Sequence, residues 1–106
     1  MRITATILAL MAATVMACLA ADANAGHAAY DKSCKSCHGA DGTPNPNIAK
    51  MMKVEMKDLK SPEVQALSDS DMKAIITTGK GKMPKVTSVT GTSVDDVVAF
   101  VRSLKK

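Results

Sequence analysis

Apolar and polar positions divide this 106-residue chain into a long uncharged opening and a series of short amphipathic stretches. After Arg2, residues 3–21 carry no charge and are mostly Ala, Leu, Met, Ile and Val, and the small-x-small triplet Ala23-Asn24-Ala25 follows. That is the pattern of an export signal, so a signal peptide is predicted over 1–25 and one domain over 26–106. Gly26 lies four residues before Tyr30, and Tyr30 four before Cys34, which places them on one face of a helix predicted over 26–35. Residues 39–47 have the Gly, Asp, Pro and Asn content of a loop. Ile48, Met51, Met52 and Met56 recur at helical spacing among Lys50, Lys53 and Lys57, which predicts a short amphipathic helix. Ser61-Pro62 reads as a cap and first helical position for a brief turn through Ala66.

A firmer helix is predicted from Ser68, where Asp71 approximates a capping box and Leu67 with Met72 sits at staple spacing. It carries Met72, Ile75 and Ile76 inward and stops at Gly79. Residues 79–85, Gly-Lys-Gly-Lys-Met-Pro-Lys, predict an irregular loop, because glycines weaken a helix and Pro84 pins the backbone. Thr90 or Thr92 is expected to cap a last helix with Val94, Val97, Val98, Val101 and Leu104 on one stripe. Phe100 lies beside Val97, where it can face the Gly26/Tyr30 surface. Asp95 and Asp96 near its start and Arg102, Lys105 and Lys106 near its end suit the helix dipole.

Composition sharpens this picture. The predicted domain has only two aromatic residues, Tyr30 and Phe100, and no Trp. Chains near this length rarely gain enough from a side-chain core alone and need a staple. Removal of the leader would take Cys18 with it and leave Cys34 and Cys37, too few for a disulfide framework. The modest net charge of +4, the scarcity of aromatics and the export signal together leave nucleic-acid binding without support.

The staple is written in Cys34-Lys35-Ser36-Cys37-His38, a C-x-x-C-H run of the kind that attaches a c-type haem. Two thiols at this spacing can add to the two vinyl groups of one porphyrin, and the adjoining histidine then lies beneath the ring. A redox dithiol would need a βαβ setting, which the pattern lacks. A structural zinc site would need four ligands, and only Cys18 and His27 remain to supply them. Haem iron in electron carriers is typically held by His on one face and Met on the other. Met83, presented in a Gly/Lys/Pro loop that suits core packing poorly, is the candidate distal ligand ahead of Met56. A carbonyl of the 39–47 loop, Pro46 before Pro44, is the expected partner for the second ring nitrogen of His38. With porphyrin as the core, the haem-free chain is expected to be largely unfolded.

These motifs give residues 26–106 a resemblance to class I cytochromes c of the short soluble bacterial type. Cys34, Cys37 and His38 match the attachment motif, and Met83-Pro84 matches the distal ligand loop. Gly26 and Tyr30 against Val97 and Phe100 match the contact between terminal helices. The resemblance implies an all-α fold, three to five helices wrapped around one haem c, with the N- and C-terminal helices crossing. It implies Cys34 and Cys37 as haem-binding residues and His38 and Met83 as iron ligands. Two departures stand out: no Trp accompanies a propionate, and the short 38–83 stretch leaves more haem edge exposed.

With both axial positions filled, the implied protein is a periplasmic single-electron carrier, a monomer without stable membrane insertion, and not an enzyme. Lys80, Lys82 and Lys85 around the ligand loop would steer redox partner proteins with acidic docking surfaces. The alternative is a haem-based small-ligand sensor or peroxidase-like enzyme in which Met83 is displaceable. A detached domain of a larger oxidase or dehydrogenase would look the same in sequence. Val15-Met16-Ala17-Cys18 loosely resembles a lipoprotein processing box, which leaves a lipid-anchored or signal-anchored form as a lesser alternative.

Overall fold

The structure, a computed structural model, describes residues 21–105. Cys18 and most of the expected leader lie outside the described residues. Six helical segments follow one another: α1 (Ala23–Ser33), α2 (Lys35–His38), α3 (Pro46–Met52), α4 (Pro62–Gln65), α5 (Asp69–Thr78) and α6 (Thr92–Ser103). The described residues contain no strand, only an isolated bridge between Lys80 and Met83. The all-α expectation holds, and the surplus over three to five helices comes from two single turns, α2 and α4.

Helix α1 begins before Gly26, because the Asp22 side chain accepts hydrogen bonds from the backbone N–H groups of Asn24 and Ala25. Side-chain oxygens also cap α3 (Asn45), α4 (Ser61) and α5 (Ser68), with Pro in the first turn of α3 and α4. Neither Thr90 nor Thr92 caps α6; Gly91 holds that position at φ 59° with no side-chain bond. Helix α3 stops at Met52 rather than running on to Met56, because Lys53 takes the left-handed conformation at φ 54°.

The crossing of α1 with α6 is the main helix packing, with α5 also laid on α6. A Cβ on Gly26 would lie 1.8 Å from the Asp96 carbonyl oxygen, so only glycine lets the two backbones approach this closely. Tyr30 and Val97 are fully enclosed at this crossing. Phe100 does face α1: its ring tilts against Tyr30 at 4.8 Å and stacks on His27 at 4.4 Å. Arg102 closes the other end of α6, donating to the carbonyls of Gln65 and Leu67 and pairing with Asp69 at 2.9 Å. Lys73 and Asp95 join α5 to α6 at 2.6 Å.

Candidate functional site

Cys34 ends α1 and opens α2, with its N–H donating to the Tyr30 carbonyl. One helical turn later Gly39 breaks the path at φ 74°, and a Cβ there would fall 2.1 Å from the Thr43 carbonyl oxygen. The chain then folds back on itself: Asn45 N–H donates to the Cys37 carbonyl at 2.9 Å, and the Asn45 amide donates to the Ser36 carbonyl. From behind, the Tyr30 hydroxyl donates to the Gly39 carbonyl at 2.7 Å. The C-x-x-C-H turn is thus held on three sides by bonds local to residues 30–45.

Met83 comes from a separate part of the chain. Helix α5 stops at Gly79 (φ 79°), where a Cβ would lie 2.6 Å from the Met83 carbonyl oxygen. Lys80 and Met83 then exchange two backbone hydrogen bonds of 3.0 Å, closing a tight turn over Gly81 and Lys82. Val86 N–H returns to the Ile76 carbonyl, and Lys82 Nζ reaches the Met52 carbonyl at 2.6 Å. The expected irregular loop is therefore a fixed turn tied to α3 and α5.

Both parts of the chain meet on an open cavity of about 540 Å³, a volume that includes solvent at its mouth. Cys34, His38 and Met83 all line it. Cys37 is half-buried and, like Met56, is not on its wall. The remaining lining is apolar apart from Tyr30: Leu59, Val64 and Leu67 from the middle of the chain, Met72, Ile75 and Ile76 from α5, and Val97, Val98 and Val101 from α6. Sequence patterning found the α5 and α6 faces. It missed Leu59 and Val64, which follow no helical stripe, and it placed Tyr30 only at the contact between the terminal helices.

Burial sets the protonation of this wall. It lowers the His38 pKa, favouring the neutral imidazole that can ligate iron. It pushes the Cys34 thiol up to about 11, with the nearby Cys37 adding to the shift. Cys34 therefore stays a thiol near neutrality, which slows disulfide formation with Cys37, since thiolate is the attacking species. Burial first, then the charges of Cys34 and Asp41, keeps Tyr30 protonated. His38 Nδ1 is buried without a hydrogen-bond partner, so the expected bond to Pro46 or Pro44 does not form. Pro46 opens α3, and its carbonyl is directed along that helix.

A half-buried Lys60, also missed in the sequence, pairs with Asp58 at 3.1 Å and Asp41 at 3.5 Å and donates to the Thr43 hydroxyl at 2.7 Å. Lys57 pairs with Glu63, Lys73 with Asp95 and Arg102 with Asp69. Among the described residues Lys50, Lys53, Lys80 and Lys85 have no carboxylate partner, and Lys82 donates to a carbonyl. These five lie on α3 and its C-cap and on the Met83 turn, which the Lys82–Met52 bond brings together. Met51, 71 % exposed, is on the same helix.

An all-α chain that places a C-x-x-C-H turn and a loop methionine on one apolar cavity is a small c-type cytochrome. The chain belongs to the family described as cytochrome C oxidase, cbb3-type, subunit III, whose model matches residues 21–101. A solved structure, KustC0563 c-type cytochrome, superposes with a TM-score of 0.65 at 28% identity, covering 76% of this chain and 98% of its own. No curated protein is similar enough in sequence to count as a match. Family and neighbour together make this an electron-transfer haem protein of the monohaem class I type, carrying covalently attached haem c. No helix among the described residues is long and apolar enough to cross a membrane.

Proposed function

We propose that the protein shuttles single electrons in the periplasm through a haem c bonded to Cys34 and Cys37, with His38 and Met83 as the two iron ligands. The observation that carries this reading is the presence of Cys34, His38 and Met83 on the wall of one apolar cavity. Bound there, the haem supplies a one-electron ferric/ferrous couple. Among the described residues no three His, Cys, Asp or Glu side chains gather as a cage for a bare ion. One imidazole and one thioether suit an iron whose other ligands come from a porphyrin.

The chain's own residues then do four things. His38, neutral through burial, offers a ring nitrogen from one side. Met83 offers a soft, uncharged sulfur from the other, which favours ferrous iron and raises the potential. The aliphatic walls from α5 and α6 keep water off the ring, which pushes the potential the same way. The basic group on α3, its cap and the Met83 turn faces outward and attracts acidic redox partners into short-lived, salt-sensitive complexes, with the protein itself a monomer.

The sensor or peroxidase reading fares worse. It needs a distal acid or base, and the ionisable residues on the cavity wall are Tyr30, Cys34 and His38 alone. His27 stacks on Phe100 at the α1–α6 crossing. A second reading, electron input to a terminal oxidase as part of a larger assembly, is favoured by the family's description. Co-purification with a membrane-bound oxidase would support it; recovery as a free periplasmic monomer with a salt-dependent electron-transfer rate would support the shuttle.

The ligand assignment is tested with Met83→Ala. The ferric iron–thioether absorption band is expected to vanish, and carbon monoxide should bind the reduced variant rapidly while leaving the natural protein unbound. The potential should fall by an appreciable part of the roughly 0.8 V range that axial ligands command. An unchanged ferric spectrum would remove Met83 from the iron.

A further inference from the structure

We propose that export cleavage falls ahead of Asp22, at the Ala20–Ala21 bond, so that the mature chain begins at Ala21 and keeps the N-cap of α1. The inference rests on the export reading above. It replaces the cut after Ala25 that the small-x-small triplet implies on sequence alone.

Ala23-Asn24-Ala25 is the first turn of α1, not an extended spacer ahead of the domain. Asp22 anchors that turn in three ways. Its carboxylate accepts from Asn24 N–H at 2.9 Å and Ala25 N–H at 3.3 Å. Its carbonyl accepts from Gly26 N–H at 2.9 Å. Its own N–H donates to Asp96 Oδ1 at 2.8 Å, tying the start of α1 to α6 across 74 residues of sequence. A cut after Ala25 removes every one of these bonds.

The new terminus would also be misplaced. Gly26 is buried against the α6 backbone at Asp96 and Val97. Its nitrogen would become an ammonium that has just lost the Asp22 carbonyl. Burying a charge without a partner is costly, and a cation at a helix N-terminus opposes the helix dipole. The next residues, His27, Ala28 and Ala29, supply no capping oxygen.

Cys18-Leu19-Ala20 provides an alternative small-x-small triplet ahead of the cap. Water cleaves the amide there, leaving a carboxylate on Ala20 and an α-amino group on Ala21. Both Ala21 and Asp22 are exposed, so the new charge stays in water and the Asp22 N–H remains an amide donor.

The test is intact-mass measurement with N-terminal sequencing of holoprotein from the periplasm of a host competent in haem attachment. A chain starting at Ala21 is expected. A start at Gly26 or at Cys18 overturns the inference while leaving export standing. A full-length chain held in the cytoplasm overturns export and the inference together. In a second arm, holoprotein made with the leader fused directly to Gly26 should melt several degrees below the Ala21 chain, with Asp22→Ala in between. Equal melting temperatures would remove the structural ground for the proposal.

Discussion

Tyr30 shows how much one side chain contributes to the site. Its ring fills the α1–α6 crossing, and its hydroxyl holds the Gly39 carbonyl just past His38. Tyr30→Phe keeps the packing and leaves that carbonyl without its donor, at a cost of about 1–2 kcal/mol. For a domain of this size the holoprotein should melt roughly 4–16 °C lower. The sign of the pH dependence gives a second check. The folded phenol titrates above its unfolded value of about 10, so its contribution is complete below about pH 10 and is lost as pH rises beyond it. The natural chain should therefore lose stability on that limb more steeply than the Phe variant, as read from denaturant titrations at stepped pH. The Cys34, Cys37 and His38 constellation was legible because haem attachment fixes residue types at a spacing the sequence displays directly. The second partner of His38 was not, since it depends on where a loop carbonyl points after folding. The loop offers the carbonyls of Pro46 and Pro44 as acceptors, but Pro46 opens α3, which turns its carbonyl along that helix.

At the level of elements, the α1–α6 crossing was readable from one glycine and three bulky residues, and it makes the sharpest prediction. In Gly26→Ala the new methyl meets backbone, not a movable side chain, at 1.8 Å. The helices must separate, so a loss at the upper end of the usual overpacking cost, about 3 kcal/mol, is expected in chemical unfolding of the holoprotein. Element boundaries were less legible. Asp22 preceding an alanine-rich turn is a capping signal, but the same letters satisfy a processing site, and only the bond to Asp96 separates the two. The end of α3 was also hidden, because methionine spacing continues to Met56 while Lys53 turns left-handed. The Lys60 cluster joins residues 41 and 58, a separation no local pattern reveals. Backbone N–H donation from Thr43 holds Asp41 below its ordinary pKa, with Lys60 assisting, and donation from Lys60 N–H does the same for Asp58. Groups with depressed folded values stabilise fully above their unfolded pKa of about 4 and lose that contribution as pH falls below it. A double variant, Asp41→Asn with Asp58→Asn, should accordingly show a shallower decline in stability between about pH 5 and pH 2 than the natural protein.

For the whole molecule, the question is what remains when the haem is taken away. Helix–helix packing is concentrated where α1 and α5 meet α6. The segment from α3 through residue 58 is held mainly at its ends, by Asn45 on α2, by Lys82 on the Met52 carbonyl and by the Lys60 cluster. The cavity is lined by Leu, Ile, Val and Met from residues 59–101 together with Tyr30, Cys34 and His38, so apolar side chains from both ends of the domain face it beside the direct α1–α6 contact. A chain of this length buries only about 60% of its unfolded surface even when well packed, and the net stability of any domain is a small difference of about 5–15 kcal/mol. Leaving the central apolar volume open to water removes a share of burial that the α1–α6 crossing cannot replace. Protein made in a host lacking haem-attachment machinery should therefore retain little helix by far-UV circular dichroism and should show no cooperative thermal transition, whereas the holoprotein melts sigmoidally. A sigmoidal melt of the haem-free chain would mean that its side chains alone form a sufficient core, and that the cavity exists independently of the group proposed to fill it.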